Sequence, residues 1–444
     1  MNKIVDIYWH GIYYFYKHTF IQSRFPKKQH EEGITMHQAP STRGTNLEHV
    51  QEMNRALVIR QLRNTQAISR AELAKTTGLQ QSTITNIVND LISWGLVQET
   101  GMLQGGRGRR SIGLKLNGGL LKVIGVRLAR AFVSAGLFDI DGKEYAIQRV
   151  EADVRNQPEH AFHIMKEMIR ELLGGEHRQV IAGIGLAVPG PLLSDGGNIY
   201  LMADFMKWEP VFIQRELETE FGLPVYVEQD ARAGALAEWW FGSQRQQQGT
   251  MIGVLISQGI GAGIITDGQL YKGQVGFAGE IGHMSIHYNG IRCECGNLGC
   301  LEQYCSVKTV MNDIGVLLKD GEPSSLTEGF TYADAISALQ EEDPACVKAF
   351  DKAARFLAYG LVNIVNTLNP DRIVLGDDLA LAGDFLLERV KAVLADRTLP
   401  GAYEKLAVQT NTVSQDPVLV GAGALILDDI LQRPAYFKNK KNFD

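Results

Sequence analysis

The sequence predicts an α/β protein that begins with a winged helix-turn-helix and continues into two α/β lobes around a cleft. Two patterns lead to this fold class. Over residues 46–117, three short helical stretches precede two strand-like runs, which is the order of a winged helix. Over residues 118–435, apolar strand-like runs alternate with helical segments, as in sheets that are covered on both faces.

The charge of the chain is unevenly distributed. The formal net charge is −6, but the stretch from Arg43 to Lys115 holds ten Lys/Arg and five Asp/Glu, a net of +5 that leaves −11 for the rest. A basic module on an acidic body favours a nucleic-acid contact confined to one part of the chain. No apolar run approaches the roughly 20 residues that span a bilayer. We therefore expect a cytoplasmic protein with no membrane partner.

Residues 1–45 differ from the rest of the sequence. An aromatic-rich stretch from Ile7 to Tyr16 has no clear period and is followed by a basic, polar segment. This pattern favours a disordered or artefactual extension, with Met36 as a candidate true start, over a membrane-surface or partner-binding arm. We assign the segment no role.

The first two helices of the predicted winged helix are indicated by an apolar face and by capping residues. Four apolar residues share one face of the first helix: Val50, Met53, Leu57 and Val58. The run Ser69-Arg-Ala-Glu72 has the form of a capping box, which opens a second helix. Gly78 suits the left-handed cap that ends this helix.

The helix after the turn carries a buried stripe and a polar face. Its apolar residues follow the i, i+3, i+4, i+7, i+8 spacing: Ile84, Ile87, Val88, Leu91 and Ile92. Its early outward residues can hydrogen-bond to base edges or phosphates of double-stranded DNA: Gln80, Gln81, Ser82, Thr83, Thr85 and Asn86. The pattern predicts that this helix enters the major groove.

A Gly/Arg-rich hairpin follows and completes the winged helix. The predicted strands, 96–99 and 111–116, flank a tip that contains Arg107, Arg109 and Arg110. Arginine is attracted to the potential of a narrow minor groove, so we expect these three side chains to contact DNA. Three helices with a hairpin can also form a protein-interaction module. The polar helix start together with the basic tip favours DNA.

The larger part is divided at residue 237. We predict a first lobe over 118–237, completed by a C-terminal segment at about 410–435, and a second lobe over 238–409. The clearest buried strands are 181–188 and 251–256, and the clearest helices are 158–173, 230–240 and 350–368.

A cluster of one histidine and three cysteines lies in the second lobe. The spacing is His283-x9-Cys293-x-Cys295-x4-Cys300, with glycines between the cysteines that allow tight turns. One imidazole and three thiolates are the ligand set of a closed, tetrahedral zinc site. We therefore predict a structural Zn²⁺ rather than a catalytic ion or a disulfide framework. Cys305 and Cys346 lack this context and are treated as ordinary buried thiols.

Taken together, the motifs of the larger part resemble those of the ROK family (repressors, open reading frames and kinases). In chain order they are 187–191 (AVPGP), 228–230 (EQD), 259–263 (GIGAG), 279–283 (GEIGH), the cysteine loop through Glu302, 368–376 (LNPDRIVLG) and 421–423 (GAG). The resemblance covers about residues 47–435, including the winged helix of the family's sugar-responsive repressors. It implies an actin-like ATPase fold of two lobes around a sugar cleft, and a homodimer or homotetramer.

The resemblance also implies the residues that bind the sugar. They are Gln229, Asp230, Glu280, His283 and Glu302. Asp230 falls on the aspartate that takes a proton from the sugar hydroxyl in the family's kinases, and His283 on a histidine that both binds zinc and faces the sugar. Carboxylates accept hydrogen bonds from hydroxyls, so the set is chemically sensible. Gln229 stands where the family has asparagine, and this longer amide changes the hydroxyl contact expected there.

The sequence departs from the family's kinases where ATP phosphates bind. The kinase turn Asp-x-Gly-Gly-Thr is matched here by residues 127–131 (RLARA), and a kinase glycine run is matched by Gly376-Asp377-Asp378. Side chains in the turn block the close backbone approach that phosphates require. We therefore predict no catalytic residues and a transcriptional repressor of carbohydrate metabolism genes. An active sugar kinase and a zinc-bearing interaction scaffold are the alternatives.

The predicted mechanism couples the cleft to DNA through the oligomer. Sugar binding would change lobe closure and thereby the spacing of two winged helices on an inverted-repeat operator. Half-sites lie roughly 34 Å apart per helical turn, so a modest reorientation misplaces one recognition helix.

Overall fold

The computed structural model describes residues 47–63, 65, 67–104, 110–175, 181–190, 192–195, 198–201, 213–243, 248–413 and 416–438. The N-terminal segment 1–45 and the wing-tip residues Arg107 and Arg109 lie outside the described residues. The backbone of Arg110 is described, as the first residue of a strand, but its side chain is not. The predicted contacts of these arginines with DNA therefore stay predictions.

The N-terminal part is a winged helix. Its elements are α1 (Leu47–Arg63), β1 (Ile68–Ser69), α2 (Arg70–Thr77), α3 (Gln81–Ser93), β2 (Val97–Gln104) and β3 (Arg110–Leu116). The strands pair antiparallel in the order β1-β3-β2. The hairpin strand β2 is longer than predicted because the ladder continues past an irregularity between Glu99 and Met102.

The Ser69 cap, Gly78 and most of the apolar stripe lie as the sequence predicts, whereas the described hydrogen bonds include only the serine half of the predicted capping box and Ile92 is half-buried. Ser69 Oγ accepts a hydrogen bond from the Glu72 N–H at 3.2 Å, and Gly78 ends α2 with φ of 72°. Four residues of the predicted α3 stripe are buried: Ile84, Ile87, Val88 and Leu91. These contacts fix α3 in the position of a recognition helix.

The predicted buried face of α1 is partly wrong. Val50 is 40% exposed and Met53 is 58% exposed. The buried face of the helix begins only at Val58 and continues through Ile59 and Leu62, because these three residues pack into the core cluster whereas Val50 and Met53 do not.

Two five-stranded mixed sheets form the larger part. The first has the order β10-β7-β4-β5-β6 and the second β13-β12-β11-β14-β15. The strands of the first are β4 (Lys122–Leu128), β5 (Phe132–Asp139), β6 (Glu144–Glu151), β7 (Ile181–Val188) and β10 (Val225–Gln229); a separate hairpin is formed by β8 (Leu192–Asp195) and β9 (Asn198–Leu201). Those of the second are β11 (Thr250–Ile256), β12 (Ile260–Thr266), β13 (Gln269–Leu270), β14 (Arg372–Gly376) and β15 (Ala407–Thr410).

Helices cover these sheets. They are α4 (Pro158–Gly174), α5 (Ile213–Phe221), α6 (Asp230–Phe241), α7 (Glu302–Cys305), α8 (Val307–Lys319), α9 (Tyr332–Gln340), α10 (Pro344–Leu368), α11 (Gly383–Arg397), α12 (Pro400–Tyr403) and α13 (Pro417–Gln432). Among the described ranges, no helix is both long and apolar enough to span a membrane.

The C-terminal helix α13 packs closely against α6 and the first sheet. A Cβ atom on Gly421 would lie 1.8 Å from the Ala233 carbonyl oxygen, and a Cβ on Gly185 would lie 1.7 Å from that of Ala422. Only glycine permits this approach. The Gly-Ala-Gly motif at 421–423 therefore allows the close packing that holds α6, whose first residue is Asp230, in its position.

The winged helix packs through α1 against the end of α6 and the C-terminal segment. The Arg63 guanidinium lies 3.9 Å from the ring centroid of Trp240, a buried residue near the end of α6. The Ala435 N–H donates to Glu52 Oε2 at 3.1 Å. The apolar residues of the winged helix belong to the same core cluster as Trp240 and Phe437, so the two parts share a hydrophobic contact.

Candidate functional site

A cleft with a volume of about 2140 Å³ lies between the two sheets. The five residues that the sequence analysis assigns to a sugar all line it: Gln229, Asp230, Glu280, His283 and Glu302. They come from the end of β10, the start of α6, the loop after β13 and the start of α7. The fold thus brings together side chains that are far apart in the sequence.

Two glycines hold the Gly-Glu-Ile-Gly-His segment against strand β12. A Cβ on Gly279 would lie 1.9 Å from the Ala262 carbonyl oxygen, and one on Gly282 would lie 2.2 Å from that of Ile260. Gly279 also has φ of 93°, which favours glycine. Because the segment lies directly on the strand, Glu280 and His283 are presented to the cleft from a rigid support.

Two carboxyl groups of the cleft, those of Asp230 and Glu280, have raised pKa values. Burial raises the pKa of Asp230 to about 6, although the nearby Arg127 cation opposes the shift. Burial also raises the pKa of Glu280, opposed by His283 and by a hydrogen bond from Gln229 Nε2 to Glu280 Oε1 at 2.8 Å. The Asp230 carboxylate further accepts the Ala231 N–H at 2.7 Å. These groups can accept hydrogen bonds from ligand hydroxyls.

A buried ion cluster behind the cleft was not found by sequence reasoning. Glu228 contacts Arg232 Nε at 2.9 Å and Lys272 Nζ at 2.5 Å, and the Arg232 guanidinium donates to the Gly276 carbonyl at 2.8 Å. Burial alone would raise the pKa of Glu228, but the two cations outweigh it and lower that pKa. The cluster ties the residues beside Asp230 to the segment that leads to Glu280.

The histidine and the three predicted cysteines form a compact cluster. The candidate ligand atoms of His283, Cys293, Cys295 and Cys300 all lie within 4.8 Å of one another. The Sγ atoms of Cys295 and Cys300 are 3.6 Å apart, and His283 Nδ1 is 3.8 Å from Cys293 Sγ. A tetrahedral zinc site with Zn–S bonds of about 2.3 Å places its ligand atoms about 3.8 Å apart. The separations between the four ligand atoms are therefore close to those of a tetrahedral Zn²⁺ site.

The backbone around the cysteines is tightly folded. Gly299 has φ of 71°, and a Cβ there would lie 1.8 Å from the His287 carbonyl oxygen. Gln303 Nε2 lies 3.6 Å from Cys293 Sγ and can donate to a thiolate there. Cys305 and Cys346 are buried outside the cluster, in agreement with the sequence analysis.

The end of the cleft that corresponds to the kinase phosphate turn is lined by an ion cluster. Arg127 donates to Asp377 Oδ2 at 2.8 Å and to Asp416 Oδ1 at 2.9 Å, and its side chain is 9% exposed. Burial would lower the pKa of Arg127, but Asp416 and Asp377 outweigh it and raise that pKa. Asp377 therefore neutralises a buried cation, a role that its place in the matched kinase glycine run does not indicate.

The backbone at Asp377 is unusual. Its φ of 65° and ψ of −155° lie in a region that is essentially reserved for glycine. Such strain persists only where surrounding contacts determine it, and here the carboxylate is held by Arg127. The two departures from the kinase pattern, at positions 127 and 377, are thus partners in one contact between the first lobe and the second.

The outward face of α3 is polar. Gln81, Ser82 and Asn86 are exposed, while Thr83 and Thr85 are half-buried. Thr85 Oγ1 donates to the Gln81 carbonyl at 2.8 Å, which turns its hydroxyl along the helix. Asn89 is also exposed one turn after Thr85 and was missed, although the same helical spacing indicates it.

Comparisons with known proteins agree with this architecture. The ROK family model matches residues 123–429. A xylose repressor from Caldicellulosiruptor bescii is 29% identical over 396 residues, which cover 87% of this chain and 98% of that protein. An N-acetylglucosamine repressor from Escherichia coli O157:H7 is 28% identical over 384 residues, which cover 86% of this chain and 94% of that protein.

A solved structure is similar over nearly the whole chain. It is a ROK family transcriptional regulator, described as a homologue of the E. coli MLC protein, with a TM-score of 0.73 and 27% identity. The match covers 89% of this chain and 100% of that one. The predicted fold class, a winged helix followed by a ROK domain, is confirmed.

Proposed function

Because the chain belongs to the ROK family, we propose that it is a sugar-responsive, DNA-binding transcriptional repressor of carbohydrate metabolism genes. The observation that carries the proposal is the presence of two sites in one chain. The exposed polar face of α3 is suited to a DNA groove, and the carboxylate-lined cleft is suited to a sugar. The similarity to xylose and N-acetylglucosamine repressors runs over nearly the full chain and includes the winged helix.

The histidine–cysteine cluster is proposed to hold one structural Zn²⁺. Four protein ligands leave no open position for a reacting water, so the ion would fix the loop rather than act in catalysis. The loop joins the segment that carries Glu280 to the helix that begins at Glu302. A bound ion would thus hold two sugar-binding carboxylates in register.

The protein is proposed to be a regulator without kinase activity. Phosphoryl transfer needs a positioned donor whose charge is neutralised. Here Arg127, Asp377 and Asp416 bond to one another at the phosphate end of the cleft. Asp230 remains in place, but a carboxylate alone cannot supply the donor. ATP turnover assayed with a sugar panel tests this point; a phosphorylated product that disappears in Asp230→Asn would contradict it.

Helix α6 provides a physical connection between the two sites. It begins at Asp230, in the cleft, and reaches Trp240, against which Arg63 of the winged helix packs at 3.9 Å. Twelve helical residues span about 18 Å and move as a rigid unit. A ligand that binds one position of α6 better than another would therefore shift the orientation of the winged helix.

The proposed operator is an inverted repeat bound by a homodimer or homotetramer in the cytoplasm. Selection of binding sites from random DNA, followed by retardation assays at several salt concentrations, tests DNA binding directly. Enrichment of an inverted repeat is expected. The interaction-scaffold alternative is favoured instead if selection enriches no sequence and retention on DNA does not depend on salt.

A further inference from the structure

We propose that the ligand of the cleft is an uncharged, hydroxyl-rich sugar and that its phosphorylated counterpart is excluded. The inference rests on the proposed function and deepens it, because it names the chemical class of the effector. Two observations support it: the hydrogen-bond acceptor of Gln229 in the cleft has no donor within the described part of the chain, and the buried cation of Arg127 is paired with two carboxylates.

Gln229 offers the ligand an unpaired acceptor. Its Nε2 donates to Glu280, whereas its Oε1 is buried and has no hydrogen-bond partner among the residues that the structure describes. The residue is 3% exposed and lines the cleft. Leaving a buried acceptor without a donor is unfavourable. A ligand hydroxyl that donates to Oε1 removes this penalty.

The Glu280 carboxylate fixes the Gln229 amide in this orientation, because it accepts a hydrogen bond from Nε2 and would face the lone pairs of Oε1 if the amide turned over. The amide also packs directly on Gly190, where a Cβ would lie 2.3 Å from Nε2. The carbonyl oxygen of Gln229 stays available to the ligand, so this residue favours a ligand group that donates a hydrogen bond.

The neighbouring groups in the cleft are also acceptors. Asp230, Glu280 and Glu302 contribute carboxylates, and a carboxylate accepts hydrogen bonds but donates none. Sugar hydroxyls supply the donors that these groups need. A phosphate monoester supplies negative charge and acceptors, which this part of the cleft repels.

The buried cation that could offset that repulsion is already neutralised. Arg127 contacts Asp377 and Asp416, and the two carboxylates together outweigh its single charge. The strained backbone of Asp377 indicates that this pairing is built into the fold. A ligand phosphate would have to displace a carboxylate from Arg127.

Two of the other arginines that line the cleft lie where solvent screens them, whereas Arg130 is half-buried. The Arg149 side chain is 54% exposed and pairs with Glu151 at 2.9 Å. Arg155 is likewise exposed. Exposed cations are screened by salt and water and do not compensate a charge placed among buried carboxylates.

The experiment compares matched ligands on the zinc-loaded full chain. d-Glucose and N-acetylglucosamine are each titrated beside the phosphate monoester of their 6-hydroxyl, and d-xylose is titrated as a third neutral sugar, with calorimetry for affinity and melting temperature as a second readout. We expect at least one neutral sugar to bind, and its phosphate ester to bind at least 100-fold more weakly. Equal or tighter binding of a phosphate ester would overturn the inference while leaving sugar sensing intact. If no sugar of either kind binds, the proposed function itself is contradicted.

Charge-removing variants test the role of Asp377. Asp377→Asn should reduce the preference for the neutral sugar at least tenfold, because Arg127 then faces one carboxylate instead of two. Asp313→Asn is the matched control, since it removes a carboxylate that pairs with Lys352 outside the cleft. Asp416→Asn provides a second test if Asp377→Asn melts below the assay temperature. If Asp377→Asn and Asp416→Asn both keep the same preference for the neutral sugar as Asp313→Asn, the proposed role of the Arg127 contacts in excluding phosphate is contradicted.

Discussion

Replacing Arg127 by methionine tests the contact that joins the lobes at the phosphate end of the cleft. Methionine keeps an apolar stem of similar length and removes the cation. Asp377, with 8% of its side chain exposed, and Asp416, with 24%, would then lack their shared partner. Removing one member of a buried ion pair costs about 3–5 kcal/mol. Unfolding of roughly 400 residues at about 2.1 cal/mol/K per residue converts this loss to a melting-temperature decrease of about 4–6 °C.

The pH dependence of that loss gives a second criterion. Burial already raises the pKa of Asp377 in the intact protein, with Arg127 opposing the shift. Without Arg127 that pKa rises further, so the folded variant takes up protons more readily than the unfolded chain as the pH falls. A carboxyl whose pKa is raised by folding favours the folded state at low pH and loses this contribution as the pH rises. The deficit should therefore be largest above neutral pH and shrink toward about pH 5.

Thermal melts of zinc-loaded protein across this pH range provide the measurement. Arg355→Met is the matched control, because Arg355 is 57% exposed and pairs with Asp351 at 2.7 Å on the surface. An exposed pair contributes little to stability because water and salt screen it, so the control should melt close to the unaltered protein. Equal melting of the two variants, or an Arg127→Met deficit that does not depend on pH, would contradict a stabilising role of the Arg127 contacts.

Three further predictions concern the metal, the sugar and the DNA. Elemental analysis should find one zinc per chain, and well under one in Cys295→Ser, which should also melt lower because structural zinc stabilises its fold. Asp230→Asn should raise the free energy of unfolding at neutral pH by up to about 3 kcal/mol. The pKa of Asp230 is raised to about 6, so at neutral pH the folded protein holds a buried charge that destabilises it and that the neutral amide removes. A variant less stable than the unaltered protein would argue against this. Asn86→Ala should weaken operator binding by about 1–3 kcal/mol at one base position. Asn363→Ala, which changes an exposed residue on α10, is the control and should leave binding unchanged. Equal effects of the two variants in competition assays would argue against a base contact of Asn86.

Local patterns in the sequence predicted the elements that local forces determine. The stripe of α3, the Ser69 cap and the glycine at 78 act within one or two helical turns, and the structure places all of them as expected. The cysteine spacing likewise limits how far three thiols can lie apart. These predictions depend only on short stretches of chain.

Contacts between distant residues could not be predicted in the same way. Arg127 is separated from Asp377 by 250 residues and from Asp416 by 289, and no periodicity relates them. The resemblance to kinases identified positions 127 and 377 as departures but not as partners. The same limit explains Val50 and Met53, whose spacing indicates an apolar face but not whether another element covers it.

Operator affinity with and without sugar tests most directly whether sugar bound in the cleft controls DNA binding by the winged helix. We would measure it by fluorescence anisotropy with the selected inverted repeat and with the sugar that raises the melting temperature. We expect at least a tenfold change in operator affinity, about 1.4 kcal/mol of coupling, for the unaltered chain and none for Asp230→Asn. Trp240→Phe, which weakens the Arg63 contact at the end of α6, should bind both ligands but show a smaller change. A sugar that stabilises the protein yet leaves operator affinity unchanged would contradict the coupling between the cleft and the winged helix.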